Sequence, residues 1–243
     1  MSSAMTTRLL VASPLATVVS GHLEQLLAPA VVVTASTPVE IRAALHTRLR
    51  FDAILTDLVS HDRSWAPLFD GLDVLSAVRE RDRGTPLVYA LHDTRGEDEY
   101  VAELAARDEV AALVLKSQPL ADIARVLGEA AAGRTTALPR RSGESLYEYF
   151  SSGQRGATAG RLAGAIAAGR ASDTASLAAA ASVSLSTAEK VVGYLRPLIV
   201  SRGEHDDDLR LTSASVHRWC GVHAGYLTSW CRRHGHTDVL ARR

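Results

Sequence analysis

Short apolar runs alternate five times with longer segments of helical spacing in the first half of the chain. The short runs are rich in Val, Leu and Ala and are bounded by polar residues, as buried strands are. They cover residues 8–13, 30–34, 51–56, 86–91 and 112–115, and the amphipathic segments that follow them cover 14–27, 38–49, 72–82, 96–107 and 119–132. Because parallel strands are joined by crossover helices, this order predicts an α/β doubly wound, five-stranded parallel sheet with helices on both faces.

The rest of the chain is long enough for a second domain. The 243 residues exceed one small domain, and 47% hydrophobic with 22% charged residues is typical of globular proteins. The apolar runs are shorter than the ~20 residues of a membrane helix, and the N-terminus lacks the pattern of a secretory signal. We therefore expect a cytoplasmic protein without a membrane partner, in keeping with only two cysteines, Cys220 and Cys231.

A stretch of small, polar and proline residues at 132–143 interrupts the alternation. It predicts an α/β domain over residues 1–134, a linker over 135–156 and a second domain over 157–243. Divided after Ser152, the chain has 15 basic and 20 acidic residues in its first part and 12 and 7 in its second, so the parts carry about −5 and +5. A basic second domain favours a nucleic-acid partner.

Two charged residues follow strands of the predicted sheet. Asp57 ends the third strand and Lys116 follows the fifth. Because the carboxyl ends of parallel strands share one edge, where such sheets bind ligands, we expect the carboxylate and the ammonium to lie close together. The simpler alternative is an ion pair without a function, which contributes little stability when exposed.

With this fold, Asp57 and Lys116 resemble the receiver domain of two-component response regulators over residues 7–132. The resemblance implies a flavodoxin-like fold, in which Asp57 is equivalent to the phosphoacceptor and Lys116 pairs with the phosphoryl group. Receiver domains also carry an acidic pair after the first strand and Ser or Thr after the fourth, where this sequence has Ala12-Ser13 and Leu91-His92. The receiver pocket is thus expected to consist of Ala12, Ser13, Leu91 and Lys116.

The missing acidic pair argues against conventional phosphorylation. Asp57 would be the only protein anion available to Mg²⁺, unless Asp62 or Asp70 from the long loop after it replaced a ligand. We therefore expect no magnesium and no other cofactor, and a domain that serves as a dimerisation or ligand-sensing platform. A small-molecule effector is a candidate partner.

The second domain contains two helical segments separated by a few residues. One begins near Thr174 and the other near Ser184 or Ser186, with apolar Val183 between them, which is helix-turn-helix spacing. Ser186 and Glu189 are spaced as a capping box. The stretch resembles NarL/LuxR-type regulators in its Leu-Ala pair, its Val-Ser turn and the Thr near the start of the second helix.

The following segment favours a different subfamily. Pro197 is predicted to end the second helix, and residues 198–202 and 209–212 are predicted to form a hairpin similar to the wing of winged-helix regulators. Either subfamily predicts a mainly α domain that binds DNA through a groove-facing helix and phosphate-contacting basic residues. The residues expected to contact DNA are Ser186, Thr187, Lys190, Arg196, Arg202 and Arg210.

The last predicted helix, residues 213–233, carries two Cys-x-x-His pairs. On one continuous helix, Cys220 with His223 and Cys231 with His234 would lie about 16 Å apart at ~1.5 Å rise per residue, too far for one tetrahedral zinc site. We expect no metal. The aromatic stripe of this helix forms either domain core or a dimer interface.

These features predict a DNA-binding transcription regulator of response-regulator type, acting as a homodimer and controlled independently of phosphorylation. The alternative is a signalling adaptor that binds a protein partner through its C-terminal helices, and it should show no preference for one DNA sequence over competitor DNA. No enzymatic activity is expected, because the sequence offers no nucleophile–base pair and no phosphate-binding loop.

Overall fold

The structure of the chain is a computed structural model that describes residues 6–47, 50–60, 69–81, 84–92, 95–107, 110–136, 138, 143–205 and 210–241. The chain divides into two compact units, Met1–Pro139 and Arg140–Arg243. No helix of the described residues is long and apolar enough to cross a membrane.

The first unit contains one sheet whose strand order is β2-β1-β3-β4-β5, with every neighbouring pair parallel. This is the order of flavodoxin-like folds, and it confirms the predicted five-stranded parallel sheet. The central strands β3 and β4 are almost entirely buried, as their unbroken apolar sequences require. The strands are β1 (Thr7–Ala12), β2 (Ala30–Ala35), β3 (Ala53–Asp57), β4 (Leu87–Leu91) and β5 (Ala112–Leu115).

Each strand is followed by a helix, and helices cover both faces of the sheet. Val11, Leu55 and Ala90 on one face belong to an apolar layer with α1 and α5. Because successive strand residues point to opposite faces, the alternate strand residues face the other layer, where α2 and α3 contact each other. The helices are α1 (Ala16–Leu26), α2 (Pro38–His46), α3 (Gly71–Arg79), α4 (Asp98–Arg107) and α5 (Leu120–Ala131).

The second unit is helical, and its helices gather around α7. Small residues on α7 let other helices approach closely: Gly160 lies against Trp230, and Gly164 lies against Cys231. The helices are α6 (Leu146–Ser151), α7 (Gln154–Ala167), α8 (Thr174–Ala181), α9 (Leu185–Glu189), α10 (Val191–Ser201), α11 (Ser213–Val222), α12 (Ala224–Arg233) and α13 (Thr237–Leu240).

Two helices begin within the predicted linker of residues 135–156. Helix α6 begins inside it with a capping box of Ser145 and Glu148, and α7 begins inside it at Gln154. The reason is the buried ring of Phe150, which packs against Trp230 at a centroid distance of 5.1 Å and so ties α6 into the second core.

The predicted wing is wrong in its first strand, because residues 198–201 belong to α10, which continues through Pro197. Proline removes one helical N–H and normally leaves a carbonyl without its donor. Here the carbonyl of Gly193, four residues earlier, accepts from Arg155 Nη2 at 3.1 Å, and that of Tyr194 accepts from the Tyr149 hydroxyl at 2.6 Å. These tertiary hydrogen bonds let the helix continue. Residues 206–209 lie outside the described residues, and 210–212 are not a strand.

The other long helix predictions are also corrected. The predicted second helix of the helix pair is interrupted at Lys190, which lies between α9 and α10, and its N-cap is Ser184 rather than Ser186. The predicted helix 213–233 is interrupted at His223, whose φ of −95° and ψ of 13° separate α11 from α12.

Candidate functional site

Asp57 is the last residue of β3, which lies beside β1 in the middle of the sheet. The connections that follow β1 and β3 run to opposite sides of the sheet. β1 is followed by α1 and then by β2 on one side, whereas β3 and β4 extend the sheet on the other. Such a switch point leaves a crevice at the carboxyl ends of the strands. The Asp57 side chain lies in this crevice and is 11% exposed.

Both oxygens of the Asp57 carboxylate are bonded by protein groups. The Ser13 hydroxyl, just after β1, donates to Oδ2 at 2.9 Å, and the Lys116 ammonium, just after β5, lies 2.9 Å from Oδ1. The two residues on which the receiver resemblance depends are thus in contact. Receiver domains carry an acidic residue at the position of Ser13. Ser13 has no charge and instead donates a hydrogen bond to the aspartate.

The remaining residues of the expected pocket line the same edge. The Lys116 ammonium also lies 2.9 Å from His92 Nε2. The backbone N–H of Lys116 donates to the Leu91 carbonyl at 2.8 Å. The Ala12 carbonyl accepts from the Thr56 hydroxyl at 3.0 Å. The contact made by His92 was not predicted, although its place directly after β4 was a signal that could have indicated it.

Asp70, the candidate loop acid that the structure describes, does not complete a magnesium site. Asp70 is buried and caps α3: its Oδ1 accepts from the N–H groups of Leu72 at 2.9 Å and Asp73 at 3.2 Å. Asp62 lies outside the described residues. Because one carboxylate already bonded to a hydroxyl and an ammonium is a poor ligand set for Mg²⁺, the described residues of this edge do not fit the ion.

A cavity of about 280 Å³ lies beside the carboxylate–ammonium pair, between the sheet and the helices α1 and α5. Its walls are mainly apolar, and Asp57 and Lys116 are its charged residues. The lining residues are Val11, Ser13, Leu15, Val19, Leu55, Asp57, Ala90, Lys116, Gln118, Leu120 and Ile123.

The first unit is therefore a flavodoxin-like α/β domain with a carboxylate–ammonium pair at its switch point. No family model and no curated protein matches the chain. Solved structures resemble its N-terminal half, among them a response regulator receiver domain from Clostridium thermocellum, with 16% identity and a TM-score of 0.41 over 52% of this chain and 95% of that one.

Two further similar structures have different descriptions. The receiver domain of a sensor histidine kinase from Pseudomonas aeruginosa, with a magnesium ion coordinated in its active-site cleft, has 20% identity and a TM-score of 0.41, covering 52% of this chain and 98% of that chain. An adenylate cyclase from Rhodopirellula baltica has 14% identity and a TM-score of 0.44, covering 53% and 89%. The strand order, rather than these similarities, defines the fold.

In the second unit, α8 and the α9–α10 segment are joined by a turn of residues 182–184. Ser182 adopts a left-handed conformation with φ of 54°, and the Ser184 hydroxyl accepts from the Thr187 N–H at 3.2 Å. Ser186, Lys190 and Arg196 are exposed. Thr187 is half-buried, and its hydroxyl lies 2.9 Å from the hydroxyl of Ser184. The Thr187 hydroxyl is therefore hydrogen-bonded to the N-cap residue of α9.

The two remaining residues expected to contact DNA differ from each other. Arg210 is exposed. The Arg202 side chain is only 4% exposed, and its Nη2 lies 2.8 Å from Glu204 Oε1. This pairing with an acidic residue two positions later argues against the expected DNA contact of Arg202, which stays a prediction.

Glu204 is the centre of a cluster that was missed in the sequence. Besides Arg202, it accepts from the Trp219 indole N–H at 2.6 Å and lies 3.1 Å from His223 Nε2. Burial raises the pKa of this carboxyl, but the hydrogen bonds from His223, Arg202 and Trp219 outweigh burial and hold the pKa well below its usual range. The spacing of these residues gave no signal, since their approach depends on how α11 packs.

The two Cys-x-x-His pairs do not converge on a common centre. Among the described residues, no group of three or more His, Cys, Asp or Glu side chains could hold a metal ion. Cys220 and Cys231 are buried free thiols, and burial raises the pKa of each to about 12. His234 instead stacks on Trp230 with centroids 4.5 Å apart.

Proposed function

We propose that this chain is a DNA-binding transcription regulator whose receiver-type domain is controlled without conventional phosphorylation. The observation that carries the DNA-binding part is the short turn between α8 and α9, which is followed by exposed Ser186 on α9, Lys190 between α9 and α10, and Arg196 on α10. A helix joined in this way to a preceding helix can enter the major groove, where exposed polar side chains reach base edges and phosphates.

The charge of the second unit supports the same proposal. Residues after Ser152 carry 12 basic against 7 acidic side chains, which favours a polyanionic partner. Lys190, between α9 and α10, and Arg196, on α10, are the exposed basic residues of residues 185–201, so one copy offers few phosphate contacts. We therefore propose a homodimer that binds two half-sites.

The control proposed for the first unit follows from the bonding of Asp57. An in-line phosphoryl transfer needs a divalent cation to neutralise the charge that develops on the phosphoryl oxygens. Ser13 and Lys116 occupy the carboxylate instead, at 2.9 Å each. We expect incubation with acetyl phosphate and Mg²⁺ to leave the intact mass unchanged. A stoichiometric phosphate adduct on Asp57 would refute phosphorylation-independent control.

The DNA-binding proposal is tested by selecting bound duplexes from a random library and measuring affinity by fluorescence anisotropy. We expect enrichment of one sequence family. Lys190→Ala and Arg196→Ala should each weaken binding and reduce the slope of log affinity against log salt by about 1. Arg218→Ala, at an exposed position on α11, is the matched control and should leave the slope unchanged.

The result also separates the proposal from its alternative. If no sequence is enriched over competitor duplex, the unit is not a sequence-specific DNA reader. A protein-docking role would then be favoured by the exposed apolar side chains of Leu185 (52% exposed) and Val200 (41% exposed) on the same helices.

A further inference from the structure

We propose that the cavity beside Asp57 binds a neutral small molecule that has an apolar body of about two fused rings and one hydroxyl group. The inference concerns binding to the first unit alone. Only its effect on transcription, as the signal that replaces phosphorylation, rests on the proposed function.

The size of the cavity sets the size of the molecule. A protein cavity of about 150 Å³ accommodates one benzene ring, and small-molecule pockets begin at about 300 Å³. The cavity here is about 280 Å³, so it has room for roughly two rings. A single ring would leave much of the apolar lining without contacts, whereas a third ring would extend beyond this volume.

The walls of the cavity favour an apolar body. Val11, Leu55 and Ala90 line it from the sheet, and Val19 and Ile123 line it from α1 and α5. Ala90 contributes only a methyl group to this space. Covering these side chains with a ring system removes apolar surface from water, which is the main favourable contribution to binding in such a pocket.

The charged residues of the cavity determine the polar group of the ligand. The Asp57 carboxylate and the Lys116 ammonium are 2.9 Å apart, and their side chains are only 11% and 20% exposed. Their charges already balance. A hydroxyl can donate to the carboxylate and accept from the ammonium without adding charge, because it is both donor and acceptor. A ligand with a net charge would bring an unbalanced charge into a partly buried site, which is unfavourable.

The experiment is a titration of the full chain with three naphthalene probes that differ only in their polar group. 2-Naphthol is neutral, 2-naphthoate is an anion and 2-naphthylmethylammonium is a cation at neutral pH. We expect 2-naphthol to saturate at one molecule per chain in calorimetry, with both charged probes at least about tenfold weaker. The proposal is overturned if 2-naphthol does not saturate, or if either charged probe binds as tightly.

Variants locate the binding site. Ala90→Leu fills the cavity and should weaken 2-naphthol binding at least about tenfold, because the ring contacts are lost. Ala43→Leu adds the same atoms at an exposed position of α2 and should bind like the unchanged chain. If the circular dichroism spectrum shows that Ala90→Leu is unfolded, Val19→Phe fills the cavity from α1 instead, because Val19 is half-buried there. Unchanged binding by a folded cavity-filling variant would refute the proposed site.

The titration involves no DNA, so its failure and the failure of the DNA-binding proposal are distinguishable. Adding saturating 2-naphthol to the anisotropy assay then measures the coupling between the two sites. A change in DNA affinity that is absent in Ala90→Leu would show that the cavity controls the output.

Discussion

Replacing Arg202 by methionine distinguishes a buried structural cation from a DNA contact. The Arg202 side chain is 4% exposed and pairs with Glu204, which is 23% exposed. Removing one partner of a buried pair costs about 3–5 kcal/mol. Because Glu204 retains its bonds to Trp219 and His223, we expect the lower end, about 3 kcal/mol. For a unit of about 100 residues this lowers Tm by roughly 12–24 °C.

The assay is thermal unfolding followed by tryptophan fluorescence, to which the second unit contributes Trp219 and Trp230. The matched variant is Arg196→Met, which removes an exposed cation from α10 and should change the stability by less than about 0.5 kcal/mol while weakening DNA binding. An Arg202→Met protein that melts like the unchanged chain but loses DNA affinity would refute the assignment of Arg202 to the core.

Three further predictions use the same unfolding assay or a metal titration. Glu204→Gln should destabilise the second unit at neutral pH, and the difference should shrink as the pH falls below about 4.5, because there the unfolded chain takes up a proton that the folded carboxyl, whose pKa is depressed, does not; a pH-independent difference down to pH 3 would contradict this. Gly164→Ala should cost about 1–3 kcal/mol, because the added Cβ would overlap the Cys231 sulfur. Gly221→Ala, where nothing lies within 4 Å, should be neutral or stabilising by up to about 1 kcal/mol, and equal effects of the two changes would show that α7 packs loosely. Ser13→Asp should create saturable Mg²⁺ binding in calorimetry that the unchanged chain lacks, since it restores a second carboxylate to the sheet edge; an absence of binding would mean that the missing acid is not what excludes the ion.

The sequence predicted the first unit better than the second for a physical reason. Buried parallel strands have unbroken apolar sequences, and their order along the chain alternates with helices, so both signals are local. Asp57 and Lys116 could be placed together because parallel strands end at one edge. The hydrogen bond from Ser13 to Asp57 could not be predicted, because it depends on the rotamers of two side chains that follow or end neighbouring strands and lie 44 residues apart in the chain.

In the second unit, local rules were overruled by contacts between distant residues. Proline at 197 ordinarily ends a helix, yet Arg155 and Tyr149 bond the carbonyls near it, and α10 continues. Arg202 was expected to contact DNA, yet it is buried against Glu204, whose other partners Trp219 and His223 lie 15 and 19 residues further along the chain.

By itself, the sequence determined the strand alternation, the strand-edge position of the aspartate and the basic charge of the second half, because composition and periodicity act over a few neighbouring residues. Only the tertiary structure decided which polar groups are already bonded to protein and which remain exposed to a partner. Those outcomes depend on distances between residues far apart in the chain, and packing alone sets those distances.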